Sequence, residues 1–132
     1  MNKNFGRITQ IIGSVIDIRF EEELPSLYNA IEVQLNDETL VLEVMQHLGD
    51  NTVRCISMHP TDGLKRGMKA TDTGKSIAVP VGKEVLGRMV NILGEPIDNK
   101  PRIETKEKWS IHRDPPPLKD QVAEPEMLET GI

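Results

Sequence analysis

The tripeptide Gly74-Lys75-Ser76 offers the most specific chemistry in this sequence, because a phosphate-binding loop closes on Gly-Lys-Ser/Thr. Such a loop also needs a glycine five residues before its last one, and here that position is Lys69, with Gly67 two residues out of register. It must then open a helix whose N-terminal amides face the phosphate. Ser76-Ile77-Ala78-Val79-Pro80-Val81 reads instead as extended chain, so the triplet is read as a turn before a strand.

The other reactive residue types are sparse or scattered. His47, His59 and His112 are the only histidines, and with one cysteine they offer no pair at metal-ligand spacing. Cys55 has no disulfide partner in the chain and reads as a small buried strand residue in a reducing compartment. Glu21-Glu22-Glu23 precedes Leu24-Pro25 and reads as a solvated loop; no acid/base pair stands out. Lys65, Arg66, Lys69 and Lys75 form a local basic stretch, interrupted by Asp62 and Asp72, that reads as a solvated turn. No nucleophile elbow is present.

Composition excludes a nucleic-acid binder. With 16 basic and 21 acidic residues the net charge is −5, and Phe5, Phe20, Tyr28 and Trp109 are the only aromatics. Neither a basic field nor stacking platforms are available.

The elements that would hold any site are strands. Ile16, Ile18 and Phe20 share one face and Asp17 and Arg19 the other, so this strand is expected to bury one side and wet the other. Gly13 marks a bulge or bend before it. Ile31, Val33 and Leu35, then Leu40, Leu42 and Val44, alternate around Asn36-Asp37-Glu38 as a hairpin. Further strands are expected near Val53 to Met58 and Ser76 to Val79, with Pro60, Asp62-Gly63, Gly67 and Gly74 supplying the turns. Short strands at this spacing suggest a small closed barrel, because an open sheet this small would expose two edges.

After Val81 the pattern changes. Val85, Leu86, Met89, Val90 and Leu93 fall at helical spacing over Lys83 to Leu93, with Gly94-Glu95-Pro96-Ile97-Asp98-Asn99 a tight turn behind them. Five prolines between Lys100 and Ile132 forbid long regular structure. Residues 1–81 are thus expected to form the barrel, and 82–132 a dependent extension. No segment reads as a signal peptide or approaches the ~18 apolar residues of a membrane span, so the reading is a cytosolic chain without membrane insertion.

The sequence resembles the N-terminal part of the beta subunits of the F-type ATP synthases. The resemblance runs through Gly6-Arg7-Ile8 to Phe20, Leu42 to Asp50, Val53 to Met58, Thr61 to Met68 and Val79 to Gly82. It continues in Leu86 to Asp98, Ile111-His112-Arg113 and Leu128 to Ile132, in the family order. Alpha subunits and the flagellar and secretion ATPases share this architecture; Gln46 to Asp50 and Thr61 to Gly67 look like beta.

The resemblance implies a mainly β chain: a closed six-stranded antiparallel barrel, then the incomplete start of an α/β nucleotide-binding domain. It implies a parent that is a proton-translocating rotary ATPase using Mg-ATP and ADP, peripheral on the cytoplasmic face of the bacterial inner membrane. The implied partners are alpha subunits alternating with beta in a hexamer ring, and the central-stalk rotor inside it. The family's phosphate-binding loop, catalytic glutamate and adenine-contacting aromatics correspond to sequence after Ile132, so no catalytic, cofactor-binding or metal residue carries over. The barrel is thus expected to be scaffold. The alternative is a complete short interaction module that binds subunits of the same synthase.

Overall fold

The computed structural model describes residues 4–36, 38–122 and 124–127, and the chain divides into two compact units, Met1–Ile77 and Ala78–Ile132. In the first unit six strands are present: β1 (Phe5–Ile12), β2 (Val15–Phe20), β3 (Asn29–Leu35), β4 (Glu38–Gly49), β5 (Thr52–Ser57) and β6 (Lys69–Ser76). They close into an antiparallel barrel in the order β1-β2-β5-β4-β3-β6, with β6 pairing back onto β1. Closure removes the exposed edges that a small sheet would otherwise present.

Period-two alternation fills the barrel. Ile8, Ile16, Ile18, Phe20, Ile31, Val33, Leu42, Val44, Val53, Cys55 and Ala70 form one buried cluster, with Ile11, Leu24, Leu64 and Met68 packed against it. The expected hairpin is there, with Val33 opposite Leu40 and Leu35 opposite Glu38. Gly13 (φ 58°) turns β1 into β2 with Ile12 opposite Val15, as the sequence suggested. At Gly6 a side chain is excluded sterically: a Cβ would lie 2.8 Å from both the Arg19 carbonyl oxygen and Ile18 Cγ2. The β4–β5 connection is Asp50-Asn51, both left-handed (φ 52° and 55°), a primed turn whose twist matches the strands it joins. Register shifts in the β1–β2, β3–β6 and β4–β5 ladders mark bulges, which bend strands and help a short sheet close.

Three expectations are corrected. Asp17 does not face water: it is buried, at 5% exposure. The strand sought near Ser76 to Val79 is two strands. The sixth barrel strand is the polar run Lys69–Ser76, while β7 (Ala78–Val81) pairs with β8 (Glu107–Ser110) in a separate two-stranded sheet. Ala70 is the only buried residue of β6, so its hydropathy gives no strand signal; the ladders to β1 and β3 hold it.

The helix expected over Lys83 to Leu93 is also absent. A single 3-10 turn covers Lys83–Val85, and Gly87 then takes φ 66°, which ends helical geometry. Beyond Gly87 the chain forms a loop ordered by side-chain bonds to the backbone. Asp98 accepts from the amides of Met89 (3.4 Å) and Lys100 (3.2 Å), and Asn91 Oδ1 accepts from those of Leu93 (3.0 Å) and Glu95 (2.9 Å). These bonds satisfy amides that a helix would otherwise use, so the apolar spacing is not realised as a helix. A second 3-10 turn, Leu118–Asp120, lies in the proline-rich stretch. The resemblance to Leu128 to Ile132 falls outside the described residues.

Candidate functional site

The residues singled out for chemistry are placed by the strands, and most are committed to structure. Gly74 lies inside β6 in a left-handed conformation (φ 68°), and its amide donates to Asp72 Oδ1 at 2.9 Å. The Lys75 amide donates to Thr73 Oγ1 at 3.3 Å. These amides serve the strand's own side chains, and no helix follows. The triplet thus sits within a strand, where the sequence had suggested a turn ahead of one.

The histidines are not gathered. His47 Nε2 bonds the Pro25 carbonyl oxygen at 2.8 Å, and His59 Nδ1 accepts from the Val41 amide at 3.4 Å. His112 lies in the second unit. Among the described residues no group of three or more His, Cys, Asp or Glu side chains could hold a metal ion. Cys55 is fully buried in the barrel core. Burial first, then the charges of Asp17 and Asp72, push its thiol up to about 12, so it is not a ready nucleophile. Glu21, Glu22 and Glu23 are exposed, as a solvated loop should be.

Two ion pairs escape a reading by sequence. Asp17 on β2 faces Arg54 on β5 in the ladder, and the guanidinium grips both carboxylate oxygens at 2.8 Å. The Asp17 side chain is 7% exposed and that of Arg54 38%, so the fork lies over the carboxylate at the surface. Hydrogen bonding to Asp17, and then its charge, hold Arg54 above its ordinary pKa. The signal was an aspartate between two core isoleucines, with an arginine flanked by Val53 and Cys55 in another strand. In the second unit Arg88 Nε meets Asp98 Oδ2 at 2.6 Å, and Arg88 Nη2 also donates to the Pro101 carbonyl at 2.7 Å. The hydrogen bond from Arg88 leads in holding the Asp98 carboxyl well below the usual range, helped by the backbone amides of Lys100 and Met89.

The basic stretch splits. Arg66 and Lys69 join Arg7 and Arg19 around a cleft on the barrel, also lined by Phe5, Ile8 and Glu21. Lys65 is outside that lining, and Lys75 lies near the far end of β6.

A model of the ATP synthase alpha/beta family, beta-barrel domain, matches residues 8–74, just over half of the chain. The chain belongs to this family. The matched span covers β1 from Ile8 through most of β6, so the match and the closed six-stranded barrel describe the same object. Family membership sets the chain in the context of an ATP synthase complex, and the family's barrel domain is non-catalytic. No helix among the described residues is long and apolar enough to cross a membrane.

Proposed function

We propose that the chain is the N-terminal portion of the catalytic beta subunit of a proton-translocating F-type ATP synthase, acting as the barrel that holds the alpha/beta ring. The observation that carries this reading is the coincidence of the family match with a self-contained closed barrel. The choice of beta rests on the resemblance of Gln46 to Asp50 and Thr61 to Gly67. The first group runs along the end of β4 into its turn, and the second is the connection before β6, whose Gly67 amide donates to the Ile8 carbonyl at 2.7 Å.

In this reading residues 82–132 open the nucleotide-binding domain of such a subunit. The exposure of Leu86, Met89, Ile92, Ile97 and Trp109 supports it, since a segment that packs within a larger domain carries such residues. Mg-ATP and ADP are bound by the parent subunit, with alpha subunits as ring neighbours and the central stalk inside. The complex is peripheral on the cytoplasmic face of the bacterial inner membrane.

The test is native mass spectrometry of the chain mixed with separate alpha and beta subunits of a bacterial F-type synthase. Association with alpha and not with beta is expected. A chain that joins neither subunit overturns the ring role, and one that joins only beta overturns the beta assignment.

A further inference from the structure

The barrel's outer face carries a row of cations. Arg19 on β2, Arg7 on β1 and Lys69 on β6 stand opposite one another, Arg7 paired with Arg19 on one side and with Lys69 on the other. Residues so opposed point to the same face with Cβ atoms about 5 Å apart, where like charges repel. Strand spacing puts the ends of the row about 10 Å apart. Arg66, in the connection before β6, adds a fourth cation to the same cleft of about 770 Å³, in which Glu21 is the one carboxylate.

This concentration of positive charge is unexpected in a chain of net charge −5. Arg7 Nη1 donates to the Gly67 carbonyl at 3.2 Å, and Lys69 Nζ sits 3.3 Å from the centroid of the Phe5 ring. Both contacts orient the side chains and leave their charges uncancelled. Among the described residues the side chains of Arg19 and Arg66 carry no hydrogen bond or ion pair, and the ion pairs Asp17–Arg54 and Arg88–Asp98 lie elsewhere. An anion spanning the row would relieve the repulsion along it.

We propose that this cleft binds a compact oligophosphate anion, with Arg7, Arg19, Lys69 and Arg66 as its cationic ligands. A chain of linked phosphates distributes several negative charges along the row, whereas a single small anion reaches only part of it. Guanidinium forks match phosphate oxygens in two-point contacts, and the lysine supplies a point charge. The cleft's volume lies within the roughly 300–1,000 Å³ typical of small-ligand sites. Lys69 lies over one face of Phe5, the one aromatic ring in the cleft lining, so recognition is expected to fall on the phosphates and not on a base. The same chemistry could be carried by inorganic oligophosphate or by a nucleotide's phosphate tail. The cation row is the same whichever ring position the barrel holds.

The test is calorimetric titration of the full chain with inorganic triphosphate at about 0.01 M salt, where the screening length is about 30 Å. Parallel titrations use ATP without magnesium, and sulfate. Saturable one-to-one binding of triphosphate is expected, with ATP within about threefold of it and sulfate at least about tenfold weaker. Arg19→Gln and Arg66→Gln are each expected to weaken triphosphate binding about tenfold, while Glu21→Gln tightens it. Arg19→Gln is also expected to raise the melting temperature of the anion-free chain by about 1–4 °C, as repulsion in the row is relieved. Arg66 lies outside the strands, so its variant reports even if Arg19→Gln disturbs the barrel. Absence of saturable triphosphate binding, binding of ATP without triphosphate, or indifference to Arg66→Gln overturns the proposal.

Discussion

In residues 4–77 a single cluster of buried aliphatic side chains, closed by six strands, fixes the chain, whereas among the described residues after Ile77 only Pro80 and Ile103 are buried. The second unit takes its order from polar bonds: Arg88 with Asp98, Asn91 with the Leu93 and Glu95 amides, and the short β7–β8 ladder. Hydrophobic burial is non-directional and cooperative, so the barrel should resist acid and yield to cavities. A network of charge-assisted bonds on a loop should do the opposite, because its strength depends on ionisation.

The largest effect expected is therefore from a cavity in the barrel. Leu42→Ala removes a fully buried side chain and should cost about 2–5 kcal/mol in urea-unfolding experiments followed by circular dichroism. Ile97→Ala, at a residue 60% exposed in the second unit, should change stability by less than about 0.5 kcal/mol. Comparable losses from the two variants would erase the distinction.

Asp17→Asn comes next, at about 1–3 kcal/mol in the same assay, since it leaves a buried polar group with half of a charged fork. A neutral result would mean that the Arg54 contact is ornamental.

Acid separates the units from the other side. The Asp98 carboxyl is held below its ordinary value of 3.8, so its stabilising bonds are fully present above that pH and are lost as the pH falls through the lower value of the folded state. Amide exchange at Met89 and Lys100 should accelerate as the pH drops below about 4, relative to the intrinsic rate, while the amides of Ile31 and Val33 in β3, away from the Asp17–Arg54 pair, hold. In Asp98→Asn the acceleration should be present already at neutral pH. Unchanged protection in that variant would show that the carboxylate does not order the loop.

Within the barrel core the smallest effect is expected at Cys55. Cys55→Ala removes a single heavy atom from the core, comparable to an Ile-to-Val truncation, and should cost about 0.5–1.5 kcal/mol. The buried thiol, with its pKa pushed up to about 12, should react with alkylating reagents only as fast as the barrel opens. Rapid labelling of the native chain would contradict the packed core.

The same contrast explains what the sequence could reveal. Alternation made the β3–β4 hairpin and the β2 core face legible because each strand buries one side against a single core. It failed at β6, where Thr71-Asp72-Thr73-Gly74 has no apolar face and only the neighbouring ladders define a strand. It failed at Asp17 because period two assigns a face and cannot see a partner on another strand. Over 83–93 the apolar spacing imitates a helix, yet Gly87 and the Asp98 and Asn91 bonds settle the backbone locally. The cationic cleft was half legible: Arg66 and Lys69 are neighbours in sequence, whereas Arg7 and Arg19 join them through ladder register, a long-range property.

The ring-forming role proposed for the barrel is tested most directly by residue-resolved hydrogen exchange of the full chain with and without an alpha subunit of a bacterial F-type synthase. New protection among amides of β1–β6 is expected when alpha is added. Unchanged barrel amides, with any new protection confined to residues 78–127, would contradict the claim that the barrel is the ring-forming part.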